Sequence, residues 1–276
     1  MISEISRVDS SLGLIIEKAF RQRRVDLRQY NANFLHRRLN VRLSAKGLHD
    51  YSQYASLLDQ DPTEYNELFQ ALSINVTEFF RDSDVYDAFY THIIPKILNI
   101  EKQNEIKIWS AGCATGEEMY SVAILLNQAS ERYGSFKFKI TGTDVSAKAI
   151  ETARKGKYTH SSLKNLSEKN LKKYFQQESD GHYQINKNIM DSVTFNVGDI
   201  LTMPTPNSLD VIFCRNIIIY FGRKAQDQLF VKFAHSLKPS AYLVLGKTET
   251  IKDGATSLFE SIMPRERIYR KRTSTA

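Results

Sequence analysis

Cysteine is nearly missing from this sequence: Cys113 and Cys214 are the only two in 276 residues. A disulfide framework is therefore excluded, and a metal site built on two thiolates would need further ligands that no spacing here supplies. Both read as small buried thiols at strand ends, in a chain suited to a reducing cytoplasm. Long apolar runs are missing as well. No stretch approaches the roughly 20 residues of a membrane-spanning helix, and the polar opening segment with Glu4 and Asp9 lacks the plan of a signal peptide. Repeats and low-complexity tracts are absent. So are the Cys-His and Ser-His-Asp groupings that activate a nucleophile.

What is present points to a packed protein. Apolar residues make up 42% and charged residues 25% of the chain, and the length suits a main domain plus a smaller one. The formal net charge is +7. The excess is concentrated early, with ten Lys/Arg against five Asp/Glu over residues 1–50. Nucleic acid, anionic membrane and acidic protein are all compatible with that bias.

The first part reads as helical. From Asp26 to Leu43, the residues Leu27, Tyr30, Phe34, Leu35 and Leu39 recur at helical spacing and predict one amphipathic face. Asp61-Pro62-Thr63-Glu64 has the form of a helix start, with Asp61 as cap and Glu64 at capping-box spacing. A further amphipathic helix is expected from Asp82 to Ile100. Strands and helices then alternate: strands over Ile106–Ser110, Phe136–Thr143, Val193–Val197, Leu209–Cys214, Tyr242–Leu245 and Arg267–Arg270, helices over Glu117–Tyr133, Ser146–Lys155 and Lys224–Leu237. Such alternation predicts an α/β fold with a doubly wound, Rossmann-like parallel sheet. Between Tyr158 and Asp191 the alternation breaks, and the Ser-Asp-Gly turn in Glu178–Ile185 predicts a small inserted antiparallel hairpin. The expected organisation is a helical unit over 1–75, a linker and helix over 76–100, and a sheet domain over 101–276 with an insertion at about 158–192.

Ligands of a doubly wound sheet bind at the carboxyl ends of its strands, where four segments converge. The first is WSAGCATGEE, Trp109 to Glu118. Ala111, Gly112, Ala114 and Gly116 allow close backbone approach to a ligand. A dinucleotide would place its pyrophosphate at the following helix N-terminus, where Glu117 and Glu118 would repel it. S-adenosylmethionine, with no phosphate and a cationic sulfonium and ammonium, suits an acidic first turn. A capping box of Thr115 with Glu118 is the structural alternative. In TGTDVS, Asp144 either accepts ribose hydroxyls or caps the helix starting near Ser146. In NVGDIL, Asp199 either takes the adenine amino group, with Ile200 on the ring, or is an ordinary turn aspartate. In DVIFCRNIIIYF, Arg215 and Asn216 project from a buried strand end, toward ligand or loop backbone. Between the two halves lies NVTEFFRD, where Phe79 and Phe80 would pack and Thr77 and Arg81 either face a shared cleft or belong to a polar linker with a surface arginine.

Taken together, NVTEFFRD, SAGCATGEEMYSVA, TGTDVS, ARKGKY and CRNIIIYF resemble, in order and spacing, the chemotaxis receptor methyltransferases of the CheR family. The resemblance covers about Ser10 to Arg270. It implies a class I S-adenosylmethionine-dependent methyltransferase domain with an all-helical N-terminal domain and an inserted β-subdomain. It implies conversion of receptor glutamates to methyl esters for sensory adaptation, with S-adenosyl-L-homocysteine as product, and cofactor contacts at Asn75, Thr77, Arg81, Glu118, Asp144, Asp199, Ile200, Arg215 and Asn216. Glu117 fits the same motif and ranks below Glu118. Tyr220 matches the family tyrosine near the methyl group. Arg38 and Arg42, with Arg37 behind them, are the implied contacts to receptor methylation helices. The expected protein is cytoplasmic, recruited to receptor arrays and monomeric, without membrane insertion or nucleic-acid binding. The short Gln176–His182 stretch implies a member that needs no C-terminal pentapeptide tether.

A glutamate carboxylate has a reference pKa of about 4.3 and is ionised at neutral pH, so this acceptor needs no general base. The expected division of labour has Tyr220 orienting the carboxylate and Arg81 shaping the cofactor pocket. Two rival readings are a cofactor-binding array module without turnover and a nucleic-acid methyltransferase. Against the second, Arg215-Asn216-Ile217-Ile218 stands where amino-methylating enzymes carry an Asp/Asn-Pro-Pro-aromatic block.

Overall fold

The computed structural model describes residues 2–73, 77–100 and 105–273. Four helices come first: α1 (Ile2–Arg23), α2 (Ala32–Ala45), α3 (Tyr51–Gln60) and α4 (Glu64–Leu72). The continuous helix expected from Asp26 is broken. Asp26 accepts the Arg28 N–H in a short turn over Leu27–Gln29, Tyr30 is extended, and Asn31 caps α2 through the Phe34 N–H. Short polar side chains that bond nearby backbone compete with helix in this way. The expected capping box at α4 is absent too. Asp61 holds the Thr63 N–H, while Glu64 turns inward to Arg42 and the Tyr54 hydroxyl.

Residues 77–82 lead to α5 (Ser83–Ala88), a π turn over Phe89–Ile93, and α6 (Ile94–Ile100). The π turn falls just before Pro95, which has no N–H to donate and whose ring would crowd the carbonyl four residues back. Phe80 and Asp82 both adopt left-handed backbone angles, φ 53° and 57°. Such strain persists where surroundings over-determine it. Here Phe79 and Phe80 are buried, the Phe80 N–H donates to Ser121 Oγ, and Asp82 is paired with Arg215.

The sheet unit comprises β1 (Ile106–Ala111), α7 (Glu117–Tyr133), β2 (Phe138–Asp144), α8 (Ala147–Lys155), β3 (Lys157–Tyr158), α9 (Glu168–Tyr174), β4 (Phe175–Gln177), β5 (Tyr183–Ile185), α10 (Lys187–Met190), β6 (Val193–Val197), β7 (Leu209–Cys214), α11 (Arg223–Ser236), β8 (Leu237–Leu245), β9 (Phe259–Met263) and β10 (Ile268–Lys271). Among the described residues the main sheet has seven strands in the order β6-β2-β1-β7-β8-β10-β9. The first five run parallel, and β10 joins β8 and β9 antiparallel. Strand β9 was not expected from the sequence. Only Phe259 of its five residues is fully buried, so it lacks the apolar run that announces a central strand. The insertion is a three-stranded antiparallel sheet, β3-β5-β4, rather than a bare hairpin: Lys157 and Tyr158 add a strand to it.

Two cores cover the two faces of the main sheet, one around Tyr120, Phe195 and Phe213, the other around Trp109, Phe230 and Phe233. A third core fills the helical unit, and Val145 and Tyr220 of the sheet unit pack against it. Backbone ties reinforce that junction: the Asn31 N–H donates to the Tyr220 carbonyl, and the Gly222 N–H to the Gln29 carbonyl, each at 2.8 Å. The helical unit thus lies across the carboxyl ends of the central strands, where it closes a cavity.

Candidate functional site

That cavity measures about 280 Å³. Thr77, Arg81, Gly112, Glu118, Asp144, Asp199, Ile200, Arg215, Asn216 and Tyr220 all line it. Ala111 does not; it is packed into the core around Trp109, because successive residues of β1 face opposite sides of the sheet. Asn75 lies outside the described residues.

The glycine-rich turn after β1 works by close approach. Gly112 has φ +91°, and a Cβ there would meet Ile217 Cδ1 at 2.5 Å. Its N–H and that of Cys113 donate to the Thr143 carbonyl, joining the β1 and β2 ends. Helix α7 starts after Gly116, without a side-chain cap. Thr115 bonds Glu117, not Glu118, so the capping-box alternative does not form. Both glutamates are largely buried, but only Glu118 lines the cavity, held by Ser110 Oγ at 2.8 Å and Arg215 at 3.5 Å. Burial holds its carboxyl above the usual range against the pull of Arg215.

Asp144 ends β2 and accepts the Ala114 and Ser146 N–H groups and the Ser73 hydroxyl. The capping of α8 is done by Ser146 itself, through the Ala149 N–H. A carboxylate offers about four lone-pair sites, so Asp144 retains capacity for a ligand. Asp199 accepts the Leu201 N–H through Oδ1. Its Oδ2 is buried with no hydrogen-bond partner among the described residues. The Asp26 N–H nearby favours the charged form without making a bond of good geometry. Burial wins, pushing this carboxyl up to about 6.

Arg215 is the buried cation of the site. It donates to Asp82 at 2.6 Å, to the Arg81 carbonyl at 3.0 Å and to the Tyr86 hydroxyl at 3.4 Å, while its Nε has no partner among the described residues. Buried polar groups without partners are uncommon. Here an acceptor on Asp199 and a donor on Arg215 occur in residues lining one cavity. Cys113 also lines it, but burial drives its thiol well above the ordinary value, so it stays neutral and is no nucleophile.

At the other side Tyr30, Tyr220 and Phe221 line the cavity, backed by residues of α2. Phe34 stacks on Tyr220 with ring centres 4.6 Å apart, and Tyr30 packs on Phe221 at 5.1 Å. Burial raises the Tyr220 hydroxyl, opposed by Arg38, Arg81 and Arg37. Arg38 lies over the Phe34 ring, with a buried Nε that has no partner among the described residues. Arg42, one turn on, is committed elsewhere: its guanidinium grips Glu64, whose side chain is fully buried and also meets Lys46.

Sequence reasoning missed Tyr30, Ser73, Asp82 and Glu249. Tyr30 was assigned to the apolar stripe of a helix that is in fact broken beside it. Asp82 reads as the first residue of an amphipathic helix, and Glu249 lies in a polar loop after β8 with no motif around it.

The lining sets four carboxylates, Glu78, Glu118, Asp144 and Asp199, against two guanidiniums, Arg81 and Arg215, a balance that fits S-adenosylmethionine with its cationic sulfonium and ammonium. Comparison with known proteins agrees. Residues 75–268 match the family described as "CheR methyltransferase, SAM binding domain", and residues 10–73 match "CheR methyltransferase, all-alpha domain". Over 269 residues the chain is 33% identical to the chemotaxis protein methyltransferase of Borreliella burgdorferi, covering 94% of each chain. It is 29% identical over 260 residues to that of Salmonella typhimurium, covering 92% of this chain and 88% of the relative, and 28% identical over 258 residues to that of Escherichia coli, covering 90% and 87%. With both domain matches together spanning nearly its whole length, the chain belongs to the CheR methyltransferase family.

Proposed function

We propose that this protein methylates glutamate side-chain carboxylates on the cytoplasmic methylation helices of chemotaxis receptors, giving methyl esters. The observation that carries the reading is a cavity lined by four carboxylates against two guanidiniums, with buried unpartnered atoms on Asp199 and Arg215 among the described residues, and with Arg38 and Arg37 near the lining Tyr220. Bound S-adenosylmethionine supplies an activated methyl group on a sulfonium. The chain's own residues position the acceptor. Tyr220 orients the incoming carboxylate through its hydroxyl, a neutral donor that does not over-stabilise the anion before attack. No general base is required, since a glutamate carboxylate is already ionised at neutral pH. Arg81 shapes the cofactor side, and its carbonyl is held by Arg215.

The receptor helix, rich in glutamate, is steered by Arg38 and Arg37 beside Tyr220. Arg42, a candidate for the same work, is assigned instead to holding α2 on α4 through Glu64. Tethering through a receptor pentapeptide is not invoked: the β4–β5 turn is short, and Lys157 closes on it through Glu178 and Asp180. We take the protein to act as a monomer on receptor arrays. No described helix is long and apolar enough to cross a membrane.

The test is to incubate the protein with labelled S-adenosylmethionine and either a receptor cytoplasmic fragment or RNA. Base-labile label on glutamates of the fragment, mapped by mass spectrometry, is expected. Base-stable label on RNA, or binding without transfer to either, would overturn the reading.

A further inference from the structure

Three buried carboxylates of the sheet unit, Glu117, Asp210 and Glu249, have no part in the mechanism above, and the third brackets the site's own loop. Glu249 is 3% exposed and lies beyond the end of β8. Its Oε2 accepts the Asn216 N–H at 2.9 Å and the Gly246 N–H at 2.7 Å, and its Oε1 accepts the Ile218 N–H at 2.8 Å. Its own N–H returns to the Gly246 carbonyl at 2.9 Å. Every one of these donors to the side chain is an N–H group, so the bonding set suits the ionised carboxylate, which accepts on both oxygens.

We propose that Glu249 is a positioning residue that holds the Arg215–Phe221 loop in its working shape, joining the cofactor side of the cavity to the acceptor side. Three features carry this. Asn216, on the cofactor side, adopts a left-handed backbone angle of φ 59°, a region uncommon for non-glycine residues, though Asn enters it more readily than most, and one that its surroundings can fix. The Glu249 bond to its N–H is such a constraint. Ile218 opens the short 3-10 turn Ile218–Tyr220, and an anion at its free N–H stabilises that turn. Tyr220 is the last residue of the turn, so its hydroxyl position follows from the anchored start. Finally, residue 246 must be glycine for the bracket to close: a Cβ there would stand 2.7 Å from both the Asn216 nitrogen and Glu249 Oε2.

The inference rests on the proposed role of Tyr220 only for its turnover arm; the loop arm is independent. Glu249→Gln keeps the shape but sets an amide NH2 against backbone N–H donors. Amide hydrogen exchange by mass spectrometry, on the full chain, is expected to speed up at least tenfold over residues 216–221 and to stay unchanged elsewhere. S-adenosylhomocysteine affinity by calorimetry is expected to fall about tenfold. Turnover of a receptor fragment falls as well, and adding Tyr220→Phe to Glu249→Gln costs no more than twofold further, because the hydroxyl is already displaced. A merely destabilising change would give additive losses and exchange spread through the sheet. Gly246→Ala is expected to reproduce the same local pattern, and serves if the glutamine variant does not fold. Exchange over 216–221 within twofold of wild type overturns the proposal. Local exchange as expected, with wild-type protein that binds S-adenosylhomocysteine but methylates nothing, would sink the proposed function and leave the bracket standing.

Discussion

On the sheet side of the cavity, the charges are gripped by backbone. Asp144 holds the Ala114 and Ser146 N–H groups, Asp199 holds Leu201, and Glu249 holds Asn216, Gly246 and Ile218. On the helical side the charges ride on aromatic faces: Arg38 over Phe34, and Phe34 against Tyr220. The first arrangement is rigid, because each carboxylate is anchored to the turn that follows its own strand. The second places long, partly solvated cations on a platform. A small cofactor with several polar groups needs the first, since preorganised groups lose little on binding. A large acidic partner arriving from solution is served by the second, where charge speeds encounter.

The sharpest way to break this contrast is at Arg215, which crosses it by joining Glu118 of the sheet unit to Asp82 of the junction. Arg215→Met strands two acids, one of them nearly buried, and is expected to cost about 3 kcal/mol in urea unfolding and to abolish S-adenosylhomocysteine binding. A loss below about 1 kcal/mol would show that these charges are solvated after all.

Asp199 sharpens the rigid side. Burial raises its carboxyl to about 6, so the folded chain holds that proton more tightly than the unfolded one. Its contribution to stability is therefore present below about pH 4 and lost as pH rises toward 6. Asp199→Asn removes this loss, and is expected to match or exceed wild-type stability at pH 7, by up to about 3 kcal/mol. It is also expected to bind S-adenosylhomocysteine about tenfold more weakly, having one acceptor fewer. Thermal melts across pH 4 to 8 with calorimetry check both signs.

Arg38 and Arg42 sit one helical turn apart and separate the two principles within α2. Arg42→Ala is expected to destabilise by about 2 kcal/mol, since Glu64 is fully buried and keeps only Lys46 and Tyr54. The receptor KM should hold. Arg38→Ala is expected to cost less than about 1 kcal/mol, the scale of its contact with Phe34. It should raise the receptor KM and flatten its salt dependence. The smallest effect is at the hydroxyl: Tyr220→Phe should lower turnover about tenfold with cofactor affinity within twofold, a hydrogen bond's worth. Arg81→Ala should do the reverse.

Much of this architecture was legible beforehand. The central strands announced themselves as apolar runs, and β7 is buried at every position. The doubly wound pattern directs attention to the carboxyl ends of the strands, and Glu118, Asp144 and Asp199, read there from the sequence, line one cavity. The misses share a cause. Helix α2 starts late because Asp26 and Asn31 spend their side chains on backbone, a competition that apolar spacing does not register. Asp61 and Glu64 had the spacing of a capping box, yet a buried ion pair with Arg42 outweighed it. Strand β9 has too little apolar content to stand out.

By itself the sequence determined the fold class, the order of the converging segments and the chemistry of the ligand, because strand periodicity and residue type are local properties. Only the tertiary structure decided where neighbours point: Glu118 lines the cavity and Glu117 does not, Arg42 is tied to Glu64 while Arg38 lies over Phe34 near Tyr220, and Glu249 sits behind the loop. Adjacent helical residues point about 100° apart, and a loop carboxylate finds its partners across the chain. Which one meets the ligand is settled by how distant elements pack, a relation that no local pattern contains.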